Sequence, residues 1–333
     1  MPTALTFDIL RLLSDAQFHS GPVLARELDV SRTSVAGALR GLDSLGIELM
    51  CDPRRGYRLA APIDWLDSRQ IASHLRDHAA KFQVHVLDMT ESTNTTLLKR
   101  AAAGAPSGTV VTTELQTAGR GRRGRSWHTG LGGALTFSLL WRFEQGAGVL
   151  AGLGPAVGVA LVRALRTLGV SDALLKWPND VLVSHHKVAG TLVEIQGDVL
   201  GPSCAVIGVG VNHRLHATTR QRIDQAVTDL TSTGMRGDRN QVLAEALAQL
   251  AEMLEQFATQ GFAPLRKEWD SYHVYAGKSV ALRMPDGSFE QGIVAGVSDD
   301  GALLLQTSTG LRRFHSGEVS LRPLGEPRFA SGG

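Results

Sequence analysis

The chain has 333 residues, 43% of them hydrophobic, which is enough for two or three domains with sizeable cores. Its formal net charge of +2 is nearly neutral, so the total charge predicts neither a nucleic-acid nor a membrane partner. Its two cysteines, Cys51 and Cys204, fit neither a disulfide framework nor a metal site. The sequence also shows no signal peptide and no run of about 18 apolar residues. Together these features favour a cytoplasmic protein without a membrane partner.

Residues 1–62 are predicted to form a winged helix-turn-helix domain. Apolar residues at helical spacing predict three short helices. Ser31 is expected to cap the third helix, with Val35 and Leu42 on one face of it. Two short strands around a turn at residues 52–56 would then form the wing.

This predicted domain offers few groups for contact with DNA. Residues 1–60 contain seven Arg and seven Asp or Glu, whereas affinity for DNA is dominated by neutralisation of phosphates. The outward positions of the third helix are expected to be Ala36, Gly37 and Ala38, which offer almost no hydrogen bonds to base edges. The candidate DNA-binding residues are Ser31, Arg32, Thr33, Arg40, Arg54 and Arg55. We therefore expect either that DNA binding requires a dimer or that the domain serves only packing.

The rest of the chain divides into a large mixed body and a small β domain. Residues 63–80 are expected to be a helical linker, and residues 81–270 mix predicted strands with helices in an α/β body. Residues 271–323 contain short β-runs separated by turns, which predicts a small SH3-like β-barrel. The tail at residues 324–333 is expected to be loose. The predicted fold class is therefore α+β, with three domains.

The segment GRGRRGRSW at residues 119–127 is the most unusual part of the sequence. Its glycines allow backbone N–H groups to approach an anion closely, and its four arginines supply fixed positive charge. A solvated loop or a nucleic-acid-binding tail would have a similar composition. The position between two predicted strands, with Trp127 at the end, argues against a disordered tail.

Three further segments carry polar groups that suit a small ligand. The sequence KWPND at residues 176–180 combines a lysine, an amide and a carboxylate, and KVAGTLVE at residues 187–194 places a lysine beside small residues on a predicted strand. The sequence ESTN at residues 91–94 directly follows another predicted strand. Taken singly, KWPND is better explained as a tight turn and KVAGTLVE as a surface lysine at a strand start, whereas ESTN also fits a helix N-cap.

Together the four segments predict a site with many cations. The sequence has no Ser-His-Asp triad, no zinc-ligand spacing among its eleven histidines and no GxxxxGK[ST] phosphate loop. A basic site without a strong base suits a reaction that brings two anions together. The joining of a carboxylate to the α-phosphate of ATP is such a reaction.

The order and spacing of GRGRRGRSW, KWPND and KVAGTLVE resemble the biotin protein ligase family over nearly the whole chain. The N-terminal domain resembles that of the bifunctional subgroup, the biotin operon repressors. The resemblance implies that biotin and MgATP form biotinyl-5′-AMP and pyrophosphate. A lysine of the biotin carboxyl carrier protein of acetyl-CoA carboxylase would then attack the adenylate. It further implies a ligand-promoted homodimer that binds operator DNA.

The resemblance also implies roles for individual residues. Lys187 and Arg122 are the expected catalytic residues, and no metal-ligating residues are expected. The expected biotin-binding residues are Ser92, Thr93, Asn94, Gln116, Gly119, Arg120, Arg122, Lys187 and Gly190. The expected ATP-binding residues are Arg120, Arg122, Arg125, Trp127, Lys176, Asn179, Asp180, Lys187 and Asn212.

The sequence departs from the family pattern after Asn212, where a loop that often contains Trp folds over adenine. Here the corresponding segment has no Trp, and Ile223 and Val227 are the expected substitutes. Two other functions remain open, namely a lipoate-type ligase and a ligand-sensing transcription regulator without catalysis. The arginine-rich loop and the polar pair Ser92 and Thr93 favour a polar ring over the long apolar slot that lipoate needs.

Overall fold

The structure, a computed structural model, describes residues 1–235, 237–284, 286–315 and 320–323. These residues form an N-terminal helical unit with a two-stranded sheet, a central unit with a seven-stranded sheet and a C-terminal five-stranded sheet. The predicted fold class is confirmed. The tail that was expected to be loose lies outside the described residues.

The N-terminal unit is a winged helix-turn-helix. Its elements are α1 (Ala4–Leu12), α2 (Gly21–Glu27), α3 (Arg32–Ala38), β1 (Leu49–Asp52) and β2 (Gly56–Leu59), the last two forming an antiparallel wing. The Ser31 hydroxyl accepts a hydrogen bond from the backbone N–H of Ser34 at 3.0 Å, so the predicted cap is confirmed.

Two details of this unit differ from the prediction. The third helix ends at Ala38, and Leu42 lies in a separate 3-10 turn over Leu42–Leu45. Ala36 and Gly37 are exposed as expected, but Ala38 is half-buried and packs against the apolar core of the unit. The expectation that Ala38 faces outward was therefore wrong, because the helix turns this position towards α1, where the Thr6 hydroxyl donates to its carbonyl.

A short helix, α4 (Ser68–Leu75), leads into the central unit. The remaining elements of that unit are β3 (Gln83–Thr90), α5 (Thr93–Ala102), β4 (Thr109–Gln116), β5 (Ala134–Phe143), α6 (Leu153–Thr167), β6 (Leu174–Lys176), β7 (Asp180–Val183), β8 (His186–Gly197), β9 (Ser203–Asn212), α7 (Ala217–Arg220), α8 (Arg239–Gln260) and α9 (Arg266–Tyr272). The strand order is β3-β4-β5-β9-β8-β7-β6, with β3 and β4 parallel and the other neighbours antiparallel.

The two faces of this sheet have different coverings. Alternate side chains of β5, including Phe137, lie in one large apolar core together with α6 and α8. On the opposite face, Leu97 of α5 packs on Leu140 and Val206, which covers only one end of the sheet. The part of this face beyond Leu140 carries the polar residue Ser138.

The C-terminal sheet contains β10 (Ser279–Arg283), β11 (Phe289–Val297), β12 (Leu303–Thr307), β13 (Gly310–Phe314) and β14 (Ser320–Pro323), in the order β13-β12-β11-β10-β14. Strand β13 was not expected from the sequence, because its apolar residues do not alternate with polar ones. The indole N–H of Trp177 donates to the carbonyl of Gly301 at 3.2 Å, which ties this sheet to the central unit.

The winged helix shares its core with the central unit. Leu115 at the end of β4 and Leu131 after the glycine-rich segment are both buried in the same apolar cluster as α1. The backbone N–H of Leu131 also donates to the carbonyl of Leu45 at 3.0 Å. No helix within the described ranges is both long enough and apolar enough to cross a membrane.

Candidate active site

The site lies on the face of the central sheet opposite the large apolar core, where glycines replace larger side chains. Gly208 and Gly210 are two residues apart on β9 and therefore point to the same face. In the antiparallel ladders, Gly208 lies opposite Ser138 of β5, and Gly210 lies opposite Gly190 of β8. The missing side chains leave a depression in the middle of the sheet.

The side chains of Asn94 and Trp127 fill parts of this depression. A methyl group at Gly208 would lie 2.1 Å from Oδ1 of Asn94, and one at Gly210 would lie 2.4 Å from Cε2 of Trp127. Real carbon atoms do not approach so closely, so both positions require glycine. The alternating glycines of β9 thereby determine where Asn94 and Trp127 sit.

The polar pocket beside α5 is formed by residues from three elements. Ser92 is the N-cap of α5, so the alternative interpretation of the segment ESTN as a helix N-cap holds. The buried Ser138 hydroxyl donates to Oδ1 of Asn94 at 2.5 Å and contacts Oγ1 of Thr93 at 2.8 Å. Oε1 of Gln116 accepts a hydrogen bond from the backbone N–H of Thr93 at 2.8 Å. These groups are pre-positioned by one another, as a specific polar site requires.

The glycine-rich segment forms a compact loop closed by its own backbone. The N–H of Trp127 donates to the carbonyl of Gly119 at 2.8 Å, and the N–H of Gly121 donates to the carbonyl of Arg125 at 2.7 Å. Arg123, at the tip, has a positive φ of 57°. The loop therefore has the shape of a hairpin-like turn, and its arginine side chains connect it to the rest of the site.

Two of these arginines reach different elements. Arg120 donates to Oε2 of Glu194 on β8 at 2.6 Å, and Arg122 donates to Oδ1 of Asn179 at 3.4 Å. Burial lowers the pKa of the Arg122 guanidinium, and the nearby Asp180 carboxylate opposes that shift. Arg125 is exposed. The loop thus brings Arg120 and Arg122 over the depression and leaves Arg125 at its outer edge.

Lys187 is held beside the same depression. Its Nζ lies 2.7 Å from Oδ1 of Asp180 and 5.5 Å from the ring centre of Trp127. A β-bulge shifts the register between β7 and β8, so that Lys187 and Gly190, three residues apart, face the same side. A methyl group at Gly190 would lie 3.1 Å from the lysine Nζ. Glycine at that position therefore gives the lysine room.

The other predicted nucleotide-side residues surround this cluster. Asn179 donates to the carbonyl of Thr191 at 2.6 Å, which anchors the turn before β7. The amide of Asn212 donates to the carbonyls of Lys187 and Thr228, at 3.3 and 3.0 Å. Lys176 lies farther along, with Nζ 5.8 Å from the ring centre of Tyr275. The structure brings Asn179 and Asn212 to the cluster and places Lys176 beside the C-terminal unit.

The segment after Asn212 supports Lys187 directly. The backbone N–H of Lys187 donates to the carbonyl of Ala226, and the N–H of Thr228 donates to the carbonyl of Lys187, both at 3.0 Å. Val227 is buried between these contacts, whereas Ile223 is half-buried. Val227 thus stabilises the start of β8, and of the two predicted substitutes Ile223 is the more accessible.

The candidate DNA-binding residues lie on the helix and the wing. Arg32, Thr33 and Arg40 are exposed. At the wing, Oδ1 of Asp52 accepts hydrogen bonds from the backbone N–H groups of Arg54 and Arg55, at 2.8 and 2.9 Å. The Arg55 guanidinium lies 4.1 Å from the ring centre of Phe18. Ser31 is occupied by its capping hydrogen bond.

Four residues of the candidate site were missed by the sequence analysis. Ser138, Gly208 and Gly210 face the depression, and Glu194 binds both Arg120 and Asn94. The alternation in the sequence GVGVN was an available signal, since glycine at every second position of a strand marks one face. Among the described residues, no group of three or more His, Cys, Asp and Glu side chains is arranged to hold a metal ion.

Comparison with known proteins agrees with this architecture. Residues 6–58 match the HTH domain, residues 86–212 match the Biotin/lipoate A/B protein ligase family, and residues 275–322 match the Biotin protein ligase C terminal domain. The three matches follow the three structural units in order. Fold and site therefore define a ligase core of the biotin/lipoate class that carries a DNA-binding-type domain.

Individual relatives narrow this class. The Bifunctional ligase/repressor BirA of Salmonella typhimurium is 34% identical over 320 residues, which cover 96% of this chain and 98% of that protein. The Biotin--[acetyl-CoA-carboxylase] ligase of Paracoccus denitrificans is 35% identical over 241 residues, covering 70% of this chain and 98% of that protein. The biotin protein ligase of Aquifex aeolicus, solved in complex with biotin and ATP, is 31% identical with a TM-score of 0.63, covering 72% of this chain and 99% of that chain. The chain belongs to the biotin protein ligase family.

Proposed function

We propose that this protein activates biotin with MgATP and transfers the biotinyl group to a carrier lysine, and that it also represses transcription in response to biotin. The observation that carries the ligase proposal is the convergence of Lys187, Arg120 and Arg122 on one glycine-lined depression beside a polar pocket. Bringing a carboxylate to a triphosphate is opposed mainly by charge repulsion, and positioned cations offset it.

In the first step, a biotin carboxylate oxygen attacks the α-phosphorus of ATP, and pyrophosphate leaves with the Mg²⁺ that entered with the nucleotide. Thr93, Asn94 and Gln116, with Ser92 at the helix start, would bind the polar ring system of biotin. Gly119 and Gly190 would allow the ligand to approach the backbone closely. This arrangement directs the biotin carboxylate towards the cation cluster.

Lys187 would lie at the junction between the carboxylate and the α-phosphate. Its ammonium group is now paired with Asp180, so an anionic ligand would replace or share that partner. Arg120 and Arg122 would extend the positive charge over the phosphate, and Trp127 would wall the pocket. The enzyme would thus stabilise developing negative charge with residues that are already in place.

Further polar groups are proposed on the nucleotide side. Arg125, Lys176, Asn179, Asp180 and Asn212 would line this side, with Ile223 near adenine. In the second step, the amine of a carrier lysine attacks the acyl carbon, AMP leaves and the amine loses a proton. No enzyme nucleophile is required. The carrier proposed is the biotin carboxyl carrier protein of acetyl-CoA carboxylase.

The winged helix supports the second role. We propose that the protein forms a homodimer promoted by biotinyl-5′-AMP and that the dimer binds a two-fold symmetric operator. Arg32, Arg40, Arg54 and Arg55 would contact phosphates, with Thr33 nearby. The cytoplasm, where ATP, carrier and operator DNA meet, is the proposed location.

Biotin-dependent exchange between ATP and labelled pyrophosphate tests the ligase function on the purified protein. We expect exchange with biotin and none with lipoate. Labelled biotin should then appear in a carrier domain whose target lysine is intact, and not in a carrier with that lysine replaced by arginine. Exchange supported by lipoate alone would identify a lipoate-type ligase. Ligand binding without any exchange would identify a sensing regulator.

A further inference from the structure

Glu194 occupies a position that the proposed reaction does not explain. It lies on β8, on the same face as Gly190 and Leu192, because side chains two and four residues apart on a strand share a face. Its Oε2 accepts a hydrogen bond from Arg120 at 2.6 Å and another from Nδ2 of Asn94 at 2.8 Å. One carboxylate oxygen thus joins the glycine-rich loop to the polar pocket.

The contact with Asn94 fixes the orientation of a buried amide. Asn94 is 2% exposed, and its Nδ2 also donates to the carbonyl of Leu192 at 3.1 Å. Because a carboxylate only accepts hydrogen bonds, Glu194 requires Asn94 to present its amino group and to turn Oδ1 towards Ser138. The Ser138 hydroxyl donates to that oxygen. The Glu194 carboxylate and the Leu192 carbonyl therefore together hold Asn94 in this orientation.

The contact with Arg120 fixes the loop. The backbone hydrogen bonds of the loop are internal, so they close it without attaching it to the sheet. Apart from the packing of Trp127, two side-chain hydrogen bonds attach the loop. Arg120 donates to Glu194 of the sheet, and Arg122 donates to Asn179 in the turn before β7. The bond to Glu194 is the shorter and joins two opposite charges, which makes it the stronger of the two.

We propose that Glu194 is a positioning residue that couples the resting position of the glycine-rich loop to the orientation of Asn94 in the pocket. It acts through Arg120 and Asn94 and does not touch the reacting atoms. This inference rests on the proposed function for the identity of the ligand, whereas the effect on the loop is independent of any ligand. Loss of the carboxylate charge should loosen the loop and weaken binding of the polar ring together.

The test compares Glu194→Gln with Glu194→Asp. The matched control is Glu255→Gln, because Glu255 of α8 also pairs its carboxylate with a cation, Lys81, but far from the loop in sequence and on the surface. Trypsin cleavage within residues 120–125 is followed by mass spectrometry without ligand. Pyrophosphate exchange gives KM for biotin and kcat. We expect the loop of Glu194→Gln to be cleaved about three to ten times faster and KM to rise by about the same factor, with kcat changed less than about twofold. The reason is that an ion pair becomes a hydrogen bond from Arg120 to a neutral amide, on a half-exposed pair.

Glu194→Asp keeps the charge, so its cleavage rate and its KM should lie between those of Glu194→Gln and the wild type. Glu255→Gln should match the wild type in both. Unchanged cleavage and unchanged KM in Glu194→Gln would overturn the proposal. If Glu194→Gln also lowers the melting temperature, the double variant with Arg120→Gln decides, with cleavage followed only after Arg122, Arg123 and Arg125, which all variants keep. Additive effects on that cleavage contradict a coupling through Arg120. Absence of exchange in the wild type would contradict the proposed function alone, since the cleavage comparison needs no substrate.

Discussion

The ammonium group of Lys187 lies 2.7 Å from the carboxylate of Asp180, and the two side chains are only 15% and 20% exposed. A partly buried pair of this kind keeps the lysine extended over Gly190 and beside Trp127. The lysine is therefore positioned before any ligand arrives. Folding therefore already provides most of the conformational entropy cost of ordering this side chain. Such preorganisation makes electrostatic catalysis efficient.

Removal of Lys187 should slow adenylate formation strongly. We expect Lys187→Ala to lose roughly 3 kcal/mol of transition-state stabilisation, about a hundredfold in rate. The measurement is single-turnover formation of biotinyl-5′-AMP at saturating biotin and ATP, with thermal unfolding as a check on the fold. Lys81→Ala, which removes an exposed ion pair with Glu255, is the control and should react at the wild-type rate. Wild-type kinetics in Lys187→Ala would refute this role.

A single methyl group at Gly210 should disturb the site. The added carbon of Gly210→Ala would lie 2.4 to 2.8 Å from three indole atoms of Trp127, a rigid side chain that must then move. We expect at least about a tenfold loss in kcat/KM, since misplacement by about 1 Å is costly in a preorganised site. Gly154→Ala, in α6 with no atom within 4 Å of the new carbon, is the matched control. Equal activity of the two variants would show that Trp127 need not stay in place.

The glycine-rich loop should retain the adenylate through Arg122. We expect the loop to be protease-sensitive without ligand and protected by biotin or biotinyl-5′-AMP, because ordering several glycines is entropically costly. Arg122→Gly should release the adenylate and label nearby lysines indiscriminately. Arg123→Gly loses the same charge from the same loop at a residue with φ of 57°, and should retain the adenylate. Equal labelling by both variants would mean that total loop charge, and not Arg122, retains the intermediate.

The stability of the fold should fall in mild acid because of His273. This residue is 5% exposed and stacks on Trp269, and burial lowers its pKa from 6.5 to about 3. Below pH 6.5 the unfolded chain binds a proton that the folded chain excludes, so the free energy of unfolding decreases as the pH falls. The contribution is about 2 kcal/mol between neutral pH and pH 5.

Urea unfolding between pH 7.5 and pH 5 measures this slope. His273→Phe keeps an aromatic ring against Trp269 and should make the free energy of unfolding depend less steeply on pH. Burial also lowers the pKa of His213 and of His216, so some slope should remain. His74→Gln, exposed on α4, is the control. An identical slope in His273→Phe would mean that the pKa of His273 is the same in the folded and the unfolded chain, contrary to this prediction.

Binding to DNA should require the dimer and depend on the arginines of the winged helix. Gel shifts with promoter regions of biotin synthesis genes, at low salt, should show a complex only when biotin and ATP are both present. Arg54→Ala should reduce the salt slope by about two, because each arginine occurs twice in a dimer. Arg69→Ala, exposed on α4, should leave the slope unchanged. If no promoter binds better than random DNA even with the adenylate present, the domain serves packing alone.

Local sequence patterns predicted most of the architecture and identified the four segments that carry the candidate site residues. Helical spacing and the Ser31 cap identified the winged helix, and the buried apolar runs identified β4, β5 and β9, because these patterns repeat over a few residues and reflect burial on one or two faces. The same logic failed where burial does not follow a local period. It missed β13 and placed Ala38 on the wrong side of α3.

Tertiary structure alone decided which of the polar groups meet. Gly208 and Gly210 are required because Asn94 and Trp127 pack against them. These two residues are about 80 to 115 residues away in sequence, one on a helix and the other on a loop. The pairing of Glu194 with Arg120 likewise depends on the order of the strands in the sheet. A sequence determines which residues can bind anions, by their charge and local geometry. Only the packing of distant strands decides which of those residues share one site, because no local preference encodes a contact across the sheet.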